Sequence, residues 1–283
     1  MPKSPPPTLL LVDNGSLEPT ATLALRKLAM RLTEATGQKI RPVSLLHSSA
    51  IDPAVLGGQP AEILESTLRE LAKAKKGEVI VLPLFLGPSG AITNYIPERV
   101  EHLQKSWPKL RVHVAPCLVD VAQPGDQHVA AILAERVRAM AKKNKFTRPA
   151  VAVVDHGTPE KAVNAVRELV TAQTRALLGD FARVVTACSM ERRADAKFDF
   201  NEPLLERLLD TKDFSAGEVV VAQLFLQPGR HAGPGGDVEK ICRAAESHHP
   251  GLKIALTEPL GSHPGLVKIL AERLAQGLQA TPF

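Results

Sequence analysis

The chain repeats itself, and that repetition limits what it can fold into more than any other feature. LLLVDNGSLE at residues 9–18 returns as VAVVDHGTPE at 151–160. VIVLPLFLGPSG at 79–90 returns as VVVAQLFLQPGR at 219–230, and WPKLRVHVAPCL at 107–118 returns as HPGLKIALTEPL at 249–260. Leu9 aligns with Val151, Val81 with Val221 and Leu110 with Leu252, a nearly constant offset over three separated motifs. A shared register over that length marks two copies of one structural unit. The copies differ locally just after residue 230, where HAGPGGD carries extra residues.

Each copy has the same order of elements. A β-branched and leucine-rich run opens it, at 8–13 and at 150–155. PTATLALRKLAMRLTEATG and EKAVNAVRELVTAQTRALLG follow, with apolar residues at three- and four-residue spacing, as a helix requires. Strands are expected at 40–46 and 182–188, at 78–86 and 218–226, and at 110–116 and 252–258. Helices are expected near 60–75 and 202–210, at 94–105 and 237–247, and at 126–142 and 264–278. Alternating strands and helices imply parallel sheets covered on both faces, and near-continuous apolar strands fit that burial. The expectation is an α/β protein of two similar lobes, each a four-stranded parallel sheet flanked by helices. The lobes should span 1–142 and 149–283, joined near 142–149, and be related by a pseudo-two-fold axis.

Composition narrows the class. With 283 residues, 44% hydrophobic but only 4% aromatic, the cores must be filled by aliphatic side chains. The three cysteines, Cys117, Cys188 and Cys242, form no CxxC, and their odd number argues against a disulfide framework. A net charge of +5 with no dense basic block gives no nucleic-acid signature. No apolar run approaches the ~20 residues of a membrane span, and no signal-peptide pattern is visible, so a soluble cytoplasmic protein is expected. GxxxxGK[ST] is absent, which disfavours ATP-driven chemistry, and so is a dinucleotide fingerprint.

In parallel α/β sheets ligands bind beyond the carboxyl ends of the strands. Those ends carry His156, Glu191 and His231 in the second copy; the corresponding places in the first are assigned to Asn14, the Ser48–Ser49 pair and Ala91. Taken singly, a histidine after a strand is commonly a turn residue and Glu191 an ordinary exposed carboxylate. Their joint presence on one rim, and joint absence from the other, points to a working set. Two imidazoles and a carboxylate suit a divalent metal and can accept protons near neutral pH.

These residues resemble the sirohydrochlorin chelatases, the ATP-independent class II enzymes that insert a metal into a tetrapyrrole. VVDHGT is similar to the strand and His-Gly-Ser turn that opens members of the family, with threonine for serine. QLFLQPGRH is similar to their third strand and second histidine, and PLGSHP at 259–264 to their closing motif. The first copy matches at VLPLFLGPSGAITNYIPE, so the resemblance covers nearly the whole chain. The chain departs from the family pattern in the glycines after His231 and in Asp155, where glycine is common.

The resemblance implies insertion of Co²⁺ or Fe²⁺ into sirohydrochlorin or a related tetrapyrrole, in cobalamin or siroheme biosynthesis. The metal, Co²⁺, Fe²⁺ or Ni²⁺, would be a substrate, and no ATP or nucleotide would be needed. His156 and His231 would handle the metal and Glu191 assist as an acid, in one active centre at most. Arg192, Arg193 and Arg230 are candidate partners for the carboxylates of the macrocycle. His263 is expected to order the last turn, and His248 and His249 to lie at the surface. No nucleic acid or membrane partner is expected, and two fused lobes favour a monomer. The alternative is a noncatalytic metal- or tetrapyrrole-binding protein on the same scaffold.

Overall fold

The computed structural model describes residues 6–279. The first lobe runs β1 (Thr8–Asp13), α1 (Pro19–Thr36), β2 (Ile40–Ser44), α2 (Leu64–Lys73), β3 (Glu78–Pro83), α3 (Ile96–Gln104) and β4 (Arg111–Val114). α4 (His128–Asn144) follows. The second lobe repeats the order as β5 (Ala150–Asp155), α5 (Lys161–Leu178), β6 (Val184–Ser189), α6 (Leu205–Leu209), β7 (Gly217–Gln223), α7 (Asp237–His248), β8 (Leu252–Leu256) and α8 (Pro264–Gly277). Every strand and helix expected from periodicity is present. The repeats thus form two α/β lobes with four-stranded parallel sheets.

The strand orders are β2-β1-β3-β4 and β6-β5-β7-β8, with parallel pairing throughout. Both orders turn back on themselves between the first and third strands, and that reversal opens a crevice at the carboxyl edge. The central strands are wholly buried: Leu10, Leu11 and Val12 in β1, and Ala150 through Val154 in β5, are 0% exposed. Cys188 and Cys242 lie in the apolar core of the second lobe and no disulfide forms. Burial pushes the Cys242 thiol up to about 12, and that of Cys188 well above its ordinary value, so neither supplies a thiolate at neutral pH.

The compact units do not follow the repeat boundary. One consists of the described residues up to Val119 with those from Val267 on, and the other of Asp120–Leu266. The last helix of each repeat is therefore grouped with the sheet of the other copy, whereas the repeat boundary places the lobes at 1–142 and 149–283. In the second unit α4 packs on α5, β7 and β8. In the first, Arg273 of α8 donates from Nε to the Cys117 carbonyl at 3.0 Å and from Nη2 to that of Leu118 at 2.9 Å. Gly277 is so close to Ala115 that a Cβ there would stand 2.6 Å from the alanine Cβ.

Candidate metal centre

β5 ends in an Asp-x-Gly turn that fixes the first histidine. The Asp155 carboxylate accepts the Gly157 N–H at 3.1 Å, and Gly157 has φ +95°. A Cβ on Gly157 would lie 1.9 Å from the Glu191 carbonyl oxygen, so only glycine permits this approach. The pairing of β5 with β6 continues past the strands: Met190 N–H donates to the Asp155 carbonyl at 2.8 Å and Glu191 N–H to that of His156 at 3.1 Å. His156 and Glu191 are thereby set side by side, and Oε1 of Glu191 lies 3.5 Å from Nε2 of His156.

β7 is the neighbour of β5 across the sheet reversal, and the loop beyond it supplies His231. The His156 and His231 rings stand edge to face, with centroids 4.7 Å apart and planes at 72°. Nδ1 of His156 faces the Gly157 carbonyl at 3.2 Å, and Nδ1 of His231 faces Oδ2 of Asp237 at 2.8 Å. With both Nδ1 atoms against acceptors, the two Nε2 atoms are the positions left for a metal or a proton. Among the described residues no three His, Cys, Asp or Glu side chains are grouped as a metal site, so the centre is a two-imidazole pair with Glu191 beside it.

A charged network lies beneath the rim. Arg167 of α5 is 1% exposed and donates from Nη1 to Ser189 Oγ and to the Asn201 carbonyl, and from Nη2 to the Phe200 carbonyl. Ser189 Oγ donates to Oδ1 of Asp155 at 2.6 Å, and Arg167 Nη1 lies 3.8 Å from the same oxygen. Burial raises the Asp155 pKa, opposed by Ser189 and the Arg167 charge. Asn201 holds the next turn from both sides, accepting the Thr158 N–H and donating to its carbonyl, each at 2.9 Å.

The first lobe copies the frame without the histidines. Asp13 accepts the Gly15 N–H at 3.0 Å, Gly15 has φ +85°, and a Cβ there would meet the Leu46 carbonyl oxygen at 1.8 Å. Leu46 N–H donates to the Asn14 carbonyl as Glu191 does to His156. Leu46, not Ser48 or Ser49, is therefore the counterpart of Glu191, because the loop after β2 is out of step with the loop after β6. Ser48 instead takes the bridging part of Asn201, accepting the Ser16 N–H and donating to the Ser16 carbonyl, each at 3.1 Å. Leu25 stands where α5 has Arg167, and without that cation burial raises the Asp13 pKa to about 6. A cleft of about 670 Å³ in this lobe lies between α1, β2 and residues 59–62, and Asn14, Leu46 and Ala91 do not line it.

The arginines separate. Arg192 is held internally, by Glu202 at 2.7 Å, Asp199 at 3.1 Å and the carbonyls of Arg193 and Ala194. Its Nε, Nη1 and Nη2 are all engaged within this loop. Arg193 is exposed, with its guanidinium 5.4 Å from the Phe198 ring centre, and Arg230 is exposed with Nε 3.9 Å from Asp237. His263 accepts the Gly265 N–H at 3.1 Å and so orders the start of α8. The glycines after His231 close their own loop: a Cβ on Gly236 would stand 2.8 Å from the His231 carbonyl oxygen.

The model of the CbiX family matches residues 8–140 and again 150–277. The chain belongs to the CbiX family. The sirohydrochlorin-chelatase resemblance read from the motifs is borne out, and each repeat carries one copy of the family unit. Solved structures share the fold. SirB from Bacillus subtilis with Fe³⁺ superposes with a TM-score of 0.71 at 14% identity, over 95% of this chain and 94% of that one. The sirohydrochlorin chelatase SirB from Bacillus subtilis subspecies spizizenii, in complex with cobalt, gives 0.70 at 13% identity over 98% of both chains. CbiX, described as the terminal enzyme for biosynthesis of siroheme in denitrifying bacteria, gives 0.61 at 18% identity, over 95% of this chain and 98% of that one. No curated protein matches the chain. Among the described residues no helix of this CbiX family member is long and apolar enough to cross a membrane.

Proposed function

We propose that the second lobe inserts a divalent metal, Co²⁺ or Fe²⁺, into sirohydrochlorin or a closely related tetrapyrrole without ATP. The observation that carries this reading is the pairing of His156 and His231 at the β5/β7 reversal, each with Nδ1 against an acceptor and with the Glu191 carboxylate beside Nε2 of His156. Metal–imidazole bonds of about 2.0–2.1 Å, as for zinc, need two nitrogens that can converge on one ion, and a 4.7 Å ring separation permits this. Imidazole is suited to these metals, and two such ligands hold an ion that must later leave for the macrocycle. The entering metal displaces two pyrrole protons. Glu191, beside His156, is placed to accept one of them, and an imidazole that has released its metal can take the other. Exposed Arg193 and Arg230 are the candidates for the ring carboxylates. SirB structures carrying Fe³⁺ or cobalt support metal handling on this fold.

The test is to mix the protein with sirohydrochlorin and Co²⁺ or Fe²⁺ and follow the absorbance change against a protein-free control. His156→Ala or His231→Ala should each lower the insertion rate by about 10²-fold or more. The double variant should cost little beyond either single change, because residues acting as a unit are not additive. Metal binding with insertion no faster than the control would favour the noncatalytic alternative. Full activity in His231→Ala would end the metal-centre reading.

A further inference from the structure

Asp237 is the first residue of α7, and its carboxylate is engaged on both oxygens. Oδ2 lies 2.8 Å from Nδ1 of His231, and Oδ1 accepts Lys240 Nζ at 3.0 Å. The loop between the two residues is built to bring them together. Asp237 N–H donates to the Arg230 carbonyl at 3.2 Å and Val238 N–H to the His231 carbonyl at 3.1 Å. Gly236 allows that return, since any Cβ there would press on the His231 carbonyl. Gln223, buried at the end of β7, anchors the loop from below: Oε1 faces the Gly233 N–H at 3.4 Å, and Nε2 donates to the Thr257 carbonyl.

The first lobe supplies an independent observation. The buried faces of α3 and α7 align Ile96 with Val238 and Val100 with Cys242, which sets Tyr95 at the place of Asp237. Ala91 already stands at the place of His231. Histidine and carboxylate are thus both present in one lobe and both missing from the other.

We infer that Asp237 is a positioning residue for metal handling, accepting the Nδ1 proton of His231 so that Nε2 is the bare, ligating nitrogen. The inference rests on His231 being a metal ligand, as proposed above. A neutral imidazole carries one N–H, and a ring with that proton on Nε2 cannot ligate there. An ionised acceptor at Nδ1 makes the stronger hydrogen bond, fixes the ring orientation and raises the basicity of the other nitrogen. His156 has only a backbone carbonyl at its Nδ1. The two imidazoles are therefore unequal, with His231 the firmer ligand and His156 the weaker.

The experiment uses the full-length protein, ¹⁵N-labelled, with long-range ¹H–¹⁵N correlation of His231 and a Co²⁺ titration. Wild type should show the Nδ1–H tautomer. Asp237→Ala should move the proton to Nε2 and weaken Co²⁺ binding by about 10–100-fold, with the cooperative thermal transition retained. Gly236→Ala keeps the carboxylate but displaces it, and should shift tautomer and affinity in the same direction; it serves if Asp237→Ala does not fold. An unchanged Nδ1–H tautomer in Asp237→Ala, with Co²⁺ affinity within twofold of wild type, would overturn the assignment. A tautomer shift together with unchanged Co²⁺ affinity in His231→Ala would instead sink the metal-ligand reading on which it rests.

Discussion

Asp13 and Asp155 occupy the same place in the two lobes and differ in one neighbour. Asp155 has the Arg167 guanidinium 3.8 Å away, whereas Asp13 has Leu25 on the corresponding helix position. Burial raises the Asp13 pKa to about 6, above its ordinary 3.8. The folded protein then holds that proton more tightly than the unfolded chain does. The ionisation penalty is absent near pH 4, grows as the pH rises towards about 6, and is constant above it. A shift of this size corresponds to roughly 3 kcal/mol. Asp13→Asn should therefore stabilise the first lobe by about 1–3 kcal/mol at pH 7.5 and change little near pH 4. Urea unfolding at the two pH values reads this directly. Equal effects at both would show that Asp13 is not protonated on folding. The same pair shows what single residues disclose. His156, Glu191 and His231 were legible because each stood at a strand end and differed from its repeat. Arg167 was not, since a cation on an amphipathic helix reads as solvated; the available signal was its counterpart Leu25, which marks an inward position. Asp237 read as an ordinary helix start after a glycine run.

At the scale of elements, α5 and the loop after β6 hold the rim of the second lobe through Arg167. That side chain ties Ser189 at the end of β6 to the Phe200 and Asn201 carbonyls, and Asn201 in turn holds the turn after His156. Arg167→Leu installs the first-lobe residue, removes the cation beside Asp155, and takes away the guanidinium donor to the Asn201 carbonyl and one of two donors to that of Phe200. Removing one partner from a buried ion pair typically costs about 3–5 kcal/mol. Asp155 would then resemble Asp13, its pKa rising further above the ordinary range. Its penalty is present at high pH and relieved as falling pH protonates it, so the loss of stability should be larger at pH 8 than at pH 5. A loss of the same size at both would assign Arg167 to packing alone. Strands and helices were legible throughout, because the period of burial is written in the apolar spacing. Register beyond the strands was not: Leu46 answers to Glu191 through one backbone hydrogen bond, and loops of unequal length hide that pairing from an alignment of letters.

For the whole molecule, the duplication marks where the sequence repeats, and the packing marks what is compact. A repeat can place its last helix on the other copy without altering any local pattern, since the apolar faces of α4 and α8 look alike from sequence. The buried face of α4, including Val129, Ala130, Leu133, Val137 and Ala141, belongs to the unit Asp120–Leu266. Leu270 and Leu274 of α8 are buried in the unit that contains β1–β4. Two ways of excising the second lobe then have different outcomes. A fragment 120–266 retains β5–β8 with α4 on β7 and β8, so it should unfold cooperatively and keep Co²⁺ binding through His156 and His231. A fragment 149–283, cut at the repeat boundary, loses α4 and bares the strands beneath it. Fully burying one Val or Leu side chain is worth about 1.5–3 kcal/mol, and α4 buries several, so that loss approaches the 5–15 kcal/mol stability of a typical domain. It should show no cooperative transition by circular dichroism or should aggregate, and adding the peptide 120–146 in trans should restore part of the transition. Equal stability of the two fragments would mean that the repeat boundary, not the helix exchange, sets the folding unit.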